Sequence, residues 1–170
     1  RYGLVGSEMC IRDSNKYIKR IIERWVQMAR YKKLATVLKG VDYKKPYKPT
    51  KKNAVMMFNI LNFAIFNGKL EMPKIRVRQL RGALGEYCYD TKDPDFTEIS
   101  ISPTFQNMKH FINVLGHEMV HHYQYTIQGD TGNHNKKFYR WRNKFEKMGL
   151  ELSRVCLLYT SPSPRDRISS

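Results

Sequence analysis

Between Asn53 and Leu150 the spacing of apolar residues changes twice, and each change marks a different kind of element. Met57, Phe58, Leu61, Ala64 and Ile65 recur at helical spacing and predict a helix from about Asn53 to Phe66, stopped by Asn67-Gly68. Beyond Met72-Pro73 the run Lys74-Ile75-Arg76-Val77-Arg78 alternates with period two, the mark of a half-buried strand. Gly82 to Tyr89 and Thr97 to Ser102 read as a second and a third strand, with Asp90 to Pro94 as the turn between them. Helical spacing then returns. Phe105 to about Ile127 carries Phe111, Ile112, Leu115 and Met119 on its buried side, and a last helix starts near Asn135 with Phe138, Trp141, Phe145 and Met148. Helix, strands, helix, helix is the order of an α+β domain, here with a small three-stranded sheet beside the long helix.

Upstream, Ile18, Ile21, Ile22, Trp25 and Val26 alternate with Lys19, Arg20 and Arg24. They predict an amphipathic helix over Lys16 to Lys39, continued by Leu34, Val37 and Leu38 and ended by Gly40. The segment Tyr43 to Lys52 contains Pro46 and Pro49 among lysines, which denies it both helix and burial, so it reads as a linker. Its tyrosines could stack on bases while its lysines neutralise phosphates, though a solvated tether is the plainer use.

The two ends carry a different kind of pattern. Leu4 to Ser14 and Cys156 to Asp166 resemble translations of the transposase adapter used in sequencing libraries, and their cores, Glu8 to Ser14 and Cys156 to Ser161, can be back-translated as reverse complements. Residues 1–14 and 156–170 are therefore set aside as adapter-derived, leaving 15–52 as a basic helical extension with its Lys/Pro linker and 53–155 as one domain. Opening on Arg1 agrees with a fragment. Of the three cysteines only Cys88 then remains, which excludes a disulfide framework or a cysteine metal site and points to a reducing, cytoplasmic setting. No apolar run reaches the length of a membrane span, so no membrane partner is expected. Oligomeric state is not legible.

Charge adds a partner to the picture. The chain carries a formal +16, and from Asn15 to Lys52 thirteen Lys and Arg stand against only Glu23 and Asp42. Such a surface attracts phosphate backbones and releases their counterions, so DNA is an expected partner, with Lys44, Lys45, Lys48, Lys51 and Lys52 as contact residues. Charge alone supports non-specific attraction and carries no sequence code.

The chemistry lies in Gly116-His117-Glu118-Met119-Val120-His121-His122-Tyr123. On a helix, His117 and His121 stand one turn apart on one face, and two imidazoles so placed can grip one zinc ion. Glu118 then lies beside the metal, where a carboxylate can take a proton from activated water. An open catalytic site needs a third protein ligand. His134 is the best candidate, because it follows a turn-rich loop, Gly129 to Asn133, that can fold back on the helix. His110 is about two turns from His117, too far for bonds of roughly 2 Å. His122 faces about 100 degrees away from His121 and reads as packing or a hydrogen bond. Asp130, Glu146 and Glu151 remain as carboxylate alternatives, and Tyr123, Tyr125 and Arg140 as donors to an oxyanion. The leading expectation is a zinc-dependent peptidase. The rival is a nucleic-acid-binding protein whose zinc site is structural and does no catalysis.

Four stretches together carry a family resemblance: Leu61 to Leu70, Glu98 to Ser102, Leu115 to His121, and His134 followed four residues later by Phe138. From about Asn53 to Leu150 the chain resembles the SprT-like (Spartan-type) metallopeptidase domain. The resemblance implies a zincin-like minimal fold, zinc held by His117, His121 and His134, Glu118 as catalytic base, and action on proteins bound or crosslinked to DNA. Asn133-His134-Asn135 departs from the glycines usual around the family's third histidine.

Overall fold

The computed structural model describes residues 32, 34–40, 42, 44–93, 95–130 and 133–153. Both adapter-like ends, and the expected N-terminal helix up to its last turns, lie outside the described residues. The final part of that helix, 34–39, is helical, and Gly40 closes it through its N–H to the Val37 carbonyl. Leu34 is fully buried, so this end of the extension packs on the domain.

Helix α1, Lys51–Ala64, begins two residues before the expected start because Thr50 caps it, its hydroxyl accepting from the Asn53 N–H at 3.2 Å. Met57, Phe58, Leu61 and Ala64 are buried as their spacing predicts, and Ile65 joins them just past the helix. The turn that follows needs left-handed backbone at Asn67 (φ 61°) and Gly68 (φ 72°). The buried Asn62 side chain clamps it, donating to the Leu70 carbonyl at 2.8 Å and accepting from the Leu70 N–H at 3.1 Å.

The sheet has three strands, β1 (Lys74–Val77), β2 (Gly85–Tyr89) and β3 (Thr97–Ile101), in the order β1-β3-β2. β1 runs parallel to β3 and β2 antiparallel to it. Ile75, Ile99 and Ile101 are buried in the core with Phe111, Ile112 and Leu115 of helix α2, Met108–Gln128. Asn107 caps α2 by accepting from the His110 N–H, and Gly129 ends it in the left-handed region at φ 59°. On the outward face of the sheet the nearly buried Glu98 carboxylate is paired with Arg76 at 3.0 Å and accepts from the Ser100 hydroxyl.

Two expectations are corrected. The Lys/Pro segment is not a plain tether over its second half: Tyr47 and Phe105 exchange backbone hydrogen bonds at 2.9 and 2.8 Å, and the Tyr47 ring lies 5.2 Å from that of Phe111. This pairing also holds Phe105 out of α2, which starts three residues later than expected. The last helix divides into α3 (Lys136–Tyr139) and α4 (Arg142–Lys147). Between them the Trp141 N–H reaches the Phe138 carbonyl and the Lys144 N–H the Trp141 carbonyl, three-residue bonds that tighten the turn. Phe138 and Phe145 are nonetheless both fully buried.

Candidate metal centre

Helix α2 presents His117 and His121 on one face, and the chain returning from its C-terminal end brings His134 to them. The Nε2 atoms of His121 and His134 lie 3.1 and 3.0 Å from that of His117. One nitrogen from each ring lies within 4.8 Å of the others, so the three could hold a metal ion. A tetrahedral ion with bonds of 2.0–2.1 Å places its ligand atoms roughly 3.3 Å apart, close to the observed spacing.

Hydrogen bonds at Nδ1 settle which nitrogen of each helix histidine faces the shared point. The His117 Nδ1–H donates to the Ser153 carbonyl at 3.0 Å, and the His121 Nδ1–H to the Gln124 Oε1 at 3.2 Å. Both acceptors lack a proton to give, so both rings carry theirs on Nδ1 and turn the Nε2 lone pair toward the shared point. His122 has the opposite tautomer. Its Nε2–H donates to the Glu71 carbonyl at 2.9 Å, and its Nδ1 accepts from the Tyr87 hydroxyl at 3.3 Å. With both nitrogens engaged it is a packing residue, as its direction on the helix predicts. Burial, with Tyr125 and Tyr89 nearby, raises the Tyr87 pKa and keeps that hydroxyl protonated.

The rings of His117, His121 and His134 surround Phe138, with centroids 4.9, 4.9 and 4.7 Å from it. This apolar floor lies under a cluster in which His117 and His121 are buried and His134 is exposed. Burial first, then His121 and His134, push the His117 pKa down to about 3, against the raising effect of the Ser153 carbonyl. The His117 ring is thus neutral and ready to ligate near pH 7. Because the folded value lies below the ordinary 6.5, the unfolded chain takes up the proton first. This contribution to stability is complete above about pH 6.5 and is lost as pH falls toward about 3. The unfolding midpoint of the metal-free protein should therefore drop steadily below about pH 6.5, and by less in His117→Ala. An identical pH profile in the two proteins would contradict this.

Glu118 is buried, at 4% exposure, with its side chain against β2. A Cβ built on Gly85 would stand 2.7 Å from the Glu118 Oε1 and 2.9 Å from its Cγ, so the bare glycine makes the space that the carboxylate occupies. Gly116 works in the same way for the core: a Cβ there would meet the Phe145 ring at 2.6 Å.

The other sequence candidates are placed elsewhere. His110 packs edge-on against Phe105. Asp130 accepts from the Asn135 side chain at 3.0 Å and pairs with Lys137, a support for the His134 loop. Glu146 is exposed, as is Glu151, which lies 3.8 Å from Lys109. Among the described residues no fourth His, Cys, Asp or Glu joins the histidine group. Tyr123 packs on Trp141, Tyr125 stacks on Tyr89 at 3.9 Å, and Arg140 is exposed at the end of α3. Lys44, Lys45, Lys48, Lys51 and Lys52 are all exposed. An open groove of about 680 Å³, bordered by Met72, Thr97, His122, Tyr125 and Ile127, runs along another face of α2 and does not include the three clustered histidines.

The sequence reading missed Gly85, Gln124 and the Ser153 carbonyl. Gln124 had a local signal, since it stands three residues after His121 and so within reach of it on the helix. The other two depend on contacts distant in sequence and had none. Among the described residues no helix is long and apolar enough to cross a membrane, and Cys88 is a free thiol.

A family model described as the SprT-like family matches residues 54–157, which contain the sheet, α2 and all three clustered histidines. No curated protein matches the chain.

Proposed function

From the premise that the chain belongs to the SprT-like family, we propose that it is a zinc-dependent endopeptidase acting on DNA-associated proteins. One observation carries the reading: three imidazole nitrogens converge while the carboxylate next to the first of them is buried in a slot made by a glycine. His117, His121 and His134 would hold the metal. Neutral nitrogen ligands in a tetrahedral arrangement suit zinc, and three of them leave a position open for chemistry, unlike the four ligands of a closed structural site. When bound, zinc supplies a Lewis acid that polarises a carbonyl oxygen and lowers the pKa of water.

The protein's own groups do the rest. Glu118 accepts the proton of the attacking water on a carboxylate oxygen and returns it to the nitrogen of the leaving amine. β2 is an edge strand, and an extended substrate could add to it through backbone hydrogen bonds. The basic extension, with its exposed lysines at 44, 45, 48, 51 and 52, supports attraction to DNA through phosphates.

The test combines metal content and proteolysis. Wild type should bind one equivalent of zinc and His134→Ala much less; wild type should cleave a DNA-bound protein faster with DNA present, and the gain should fade as salt is raised. Zinc binding without cleavage of any protein would favour the rival reading of a nucleic-acid-binding protein with a structural site.

A further inference from the structure

Gln124 is fully buried on α2, and its side-chain amide is directed to the two sides of the metal centre. Its Oε1 takes the Nδ1–H of His121 at 3.2 Å. Its Nε2 donates to the Asn133 carbonyl at 3.1 Å and to the Asn135 Oδ1 at 3.3 Å. Asn133 and Asn135 flank His134 in the chain. The same Asn135 oxygen caps α3, accepting from the N–H groups of Lys137 and Phe138 at 2.9 and 3.2 Å. Meanwhile the Asn135 amide donates to Asp130 at 3.0 Å.

We infer that Gln124 is a positioning residue that couples the second helix histidine to the loop bearing the third, so that one amide sets the approach of two metal ligands. Chemistry requires an amide for this. The oxygen end must accept from an imidazole N–H, and the nitrogen end must donate to a carbonyl and to an amide oxygen; leucine offers neither, and glutamate offers the acceptor alone. The coupling also accounts for the asparagine that follows His134, whose side-chain oxygen is one of the two acceptors. The Asn133 carbonyl, on the other side of His134, is the second.

The inference rests on the three-histidine reading and is tested by zinc affinity, with no need of proteolysis. Zinc dissociation constants, measured by competition with a chromogenic chelator, are compared for wild type, Gln124→Leu, His134→Ala and the double variant. Loss of an outer partner of a ligating histidine typically weakens metal binding by about 10–100-fold, and that is the loss expected of Gln124→Leu. Because part of it passes through the His134 loop, the losses of the two single variants should multiply to more than the double variant shows. In the metal-free wild type the imidazole ¹⁵N shifts should report His121 as the Nδ1–H tautomer, and Gln124→Leu should lose that preference while His117 keeps it.

Gln124→Glu keeps a polar side chain of the same length if the leucine variant does not fold. It should hold the His121 tautomer yet bind zinc more weakly than wild type, since the loop tie is gone. Wild-type affinity in both variants, or losses that multiply fully in the double variant, would overturn the inference. Failure of wild type itself to bind zinc would instead remove the metal reading on which it stands.

Discussion

Glu118→Gln is expected to lower peptide hydrolysis by about 10²–10⁴-fold, the usual worth of a positioned general base. Zinc content and fold should be untouched. The amide has the size and shape of the carboxylate it replaces, so the slot opened by Gly85 still accommodates it, and none of the three clustered histidines is altered. Glu118 is buried at 4% exposure, and glutamine fills the same space. Thermal stability should therefore stay close to wild type while activity disappears, a separation that a misfolded variant cannot produce. The check is a side-by-side measurement of zinc stoichiometry, melting temperature and turnover of a protein substrate. Full activity in Glu118→Gln would mean that the carboxylate is not the base, whatever the metal does.

The parts of this site that could be read without coordinates are those whose geometry repeats within a few residues. His117 and His121 share a helix face because four residues make slightly more than one turn, and the buried positions Phe111, Leu115 and Met119 orient that helix on the core. His122 could be set aside for the same reason, and the structure gives it two hydrogen bonds of its own. His134 was reachable through loop composition and by elimination among five histidines. What escaped are pairings that no local period encodes. Tyr47 bonds to Phe105 across the whole of α1 and the sheet, which changes the Lys/Pro segment from a tether into a docked strand-like arm. Ser153 orients His117 from 36 residues away. The break between α3 and α4 also escaped, since Phe138, Trp141, Phe145 and Met148 keep an apolar pattern that one continuous helix would satisfy equally well.

Gly85→Ala should separate placement of the base from its chemistry. Gly85 lies at the first position of β2 and has no positive φ, so alanine meets no backbone penalty there. Its methyl group, however, would stand 2.7 Å from both the Glu118 Oε1 and the Val114 Cγ1, closer than such carbons come. Something must yield. β2 is held to β3 by a continuous register from Gly85 opposite Ile101 to Tyr89 opposite Thr97, and α2 is fixed by its buried face, so neither element moves easily. The Glu118 side chain has rotatable bonds and gives way first. Crowding of this kind costs on the order of 1–3 kcal/mol of stability. A carboxylate displaced by about 1 Å can lose on the order of 10²-fold in rate, even with the metal ligands intact. Zinc affinity close to wild type, a modest fall in melting temperature and a turnover loss approaching that of Glu118→Gln are the expected results. Were Gly85→Ala to cleave protein at the wild-type rate, the buried position of Glu118 against β2 could not be the one from which it accepts the proton.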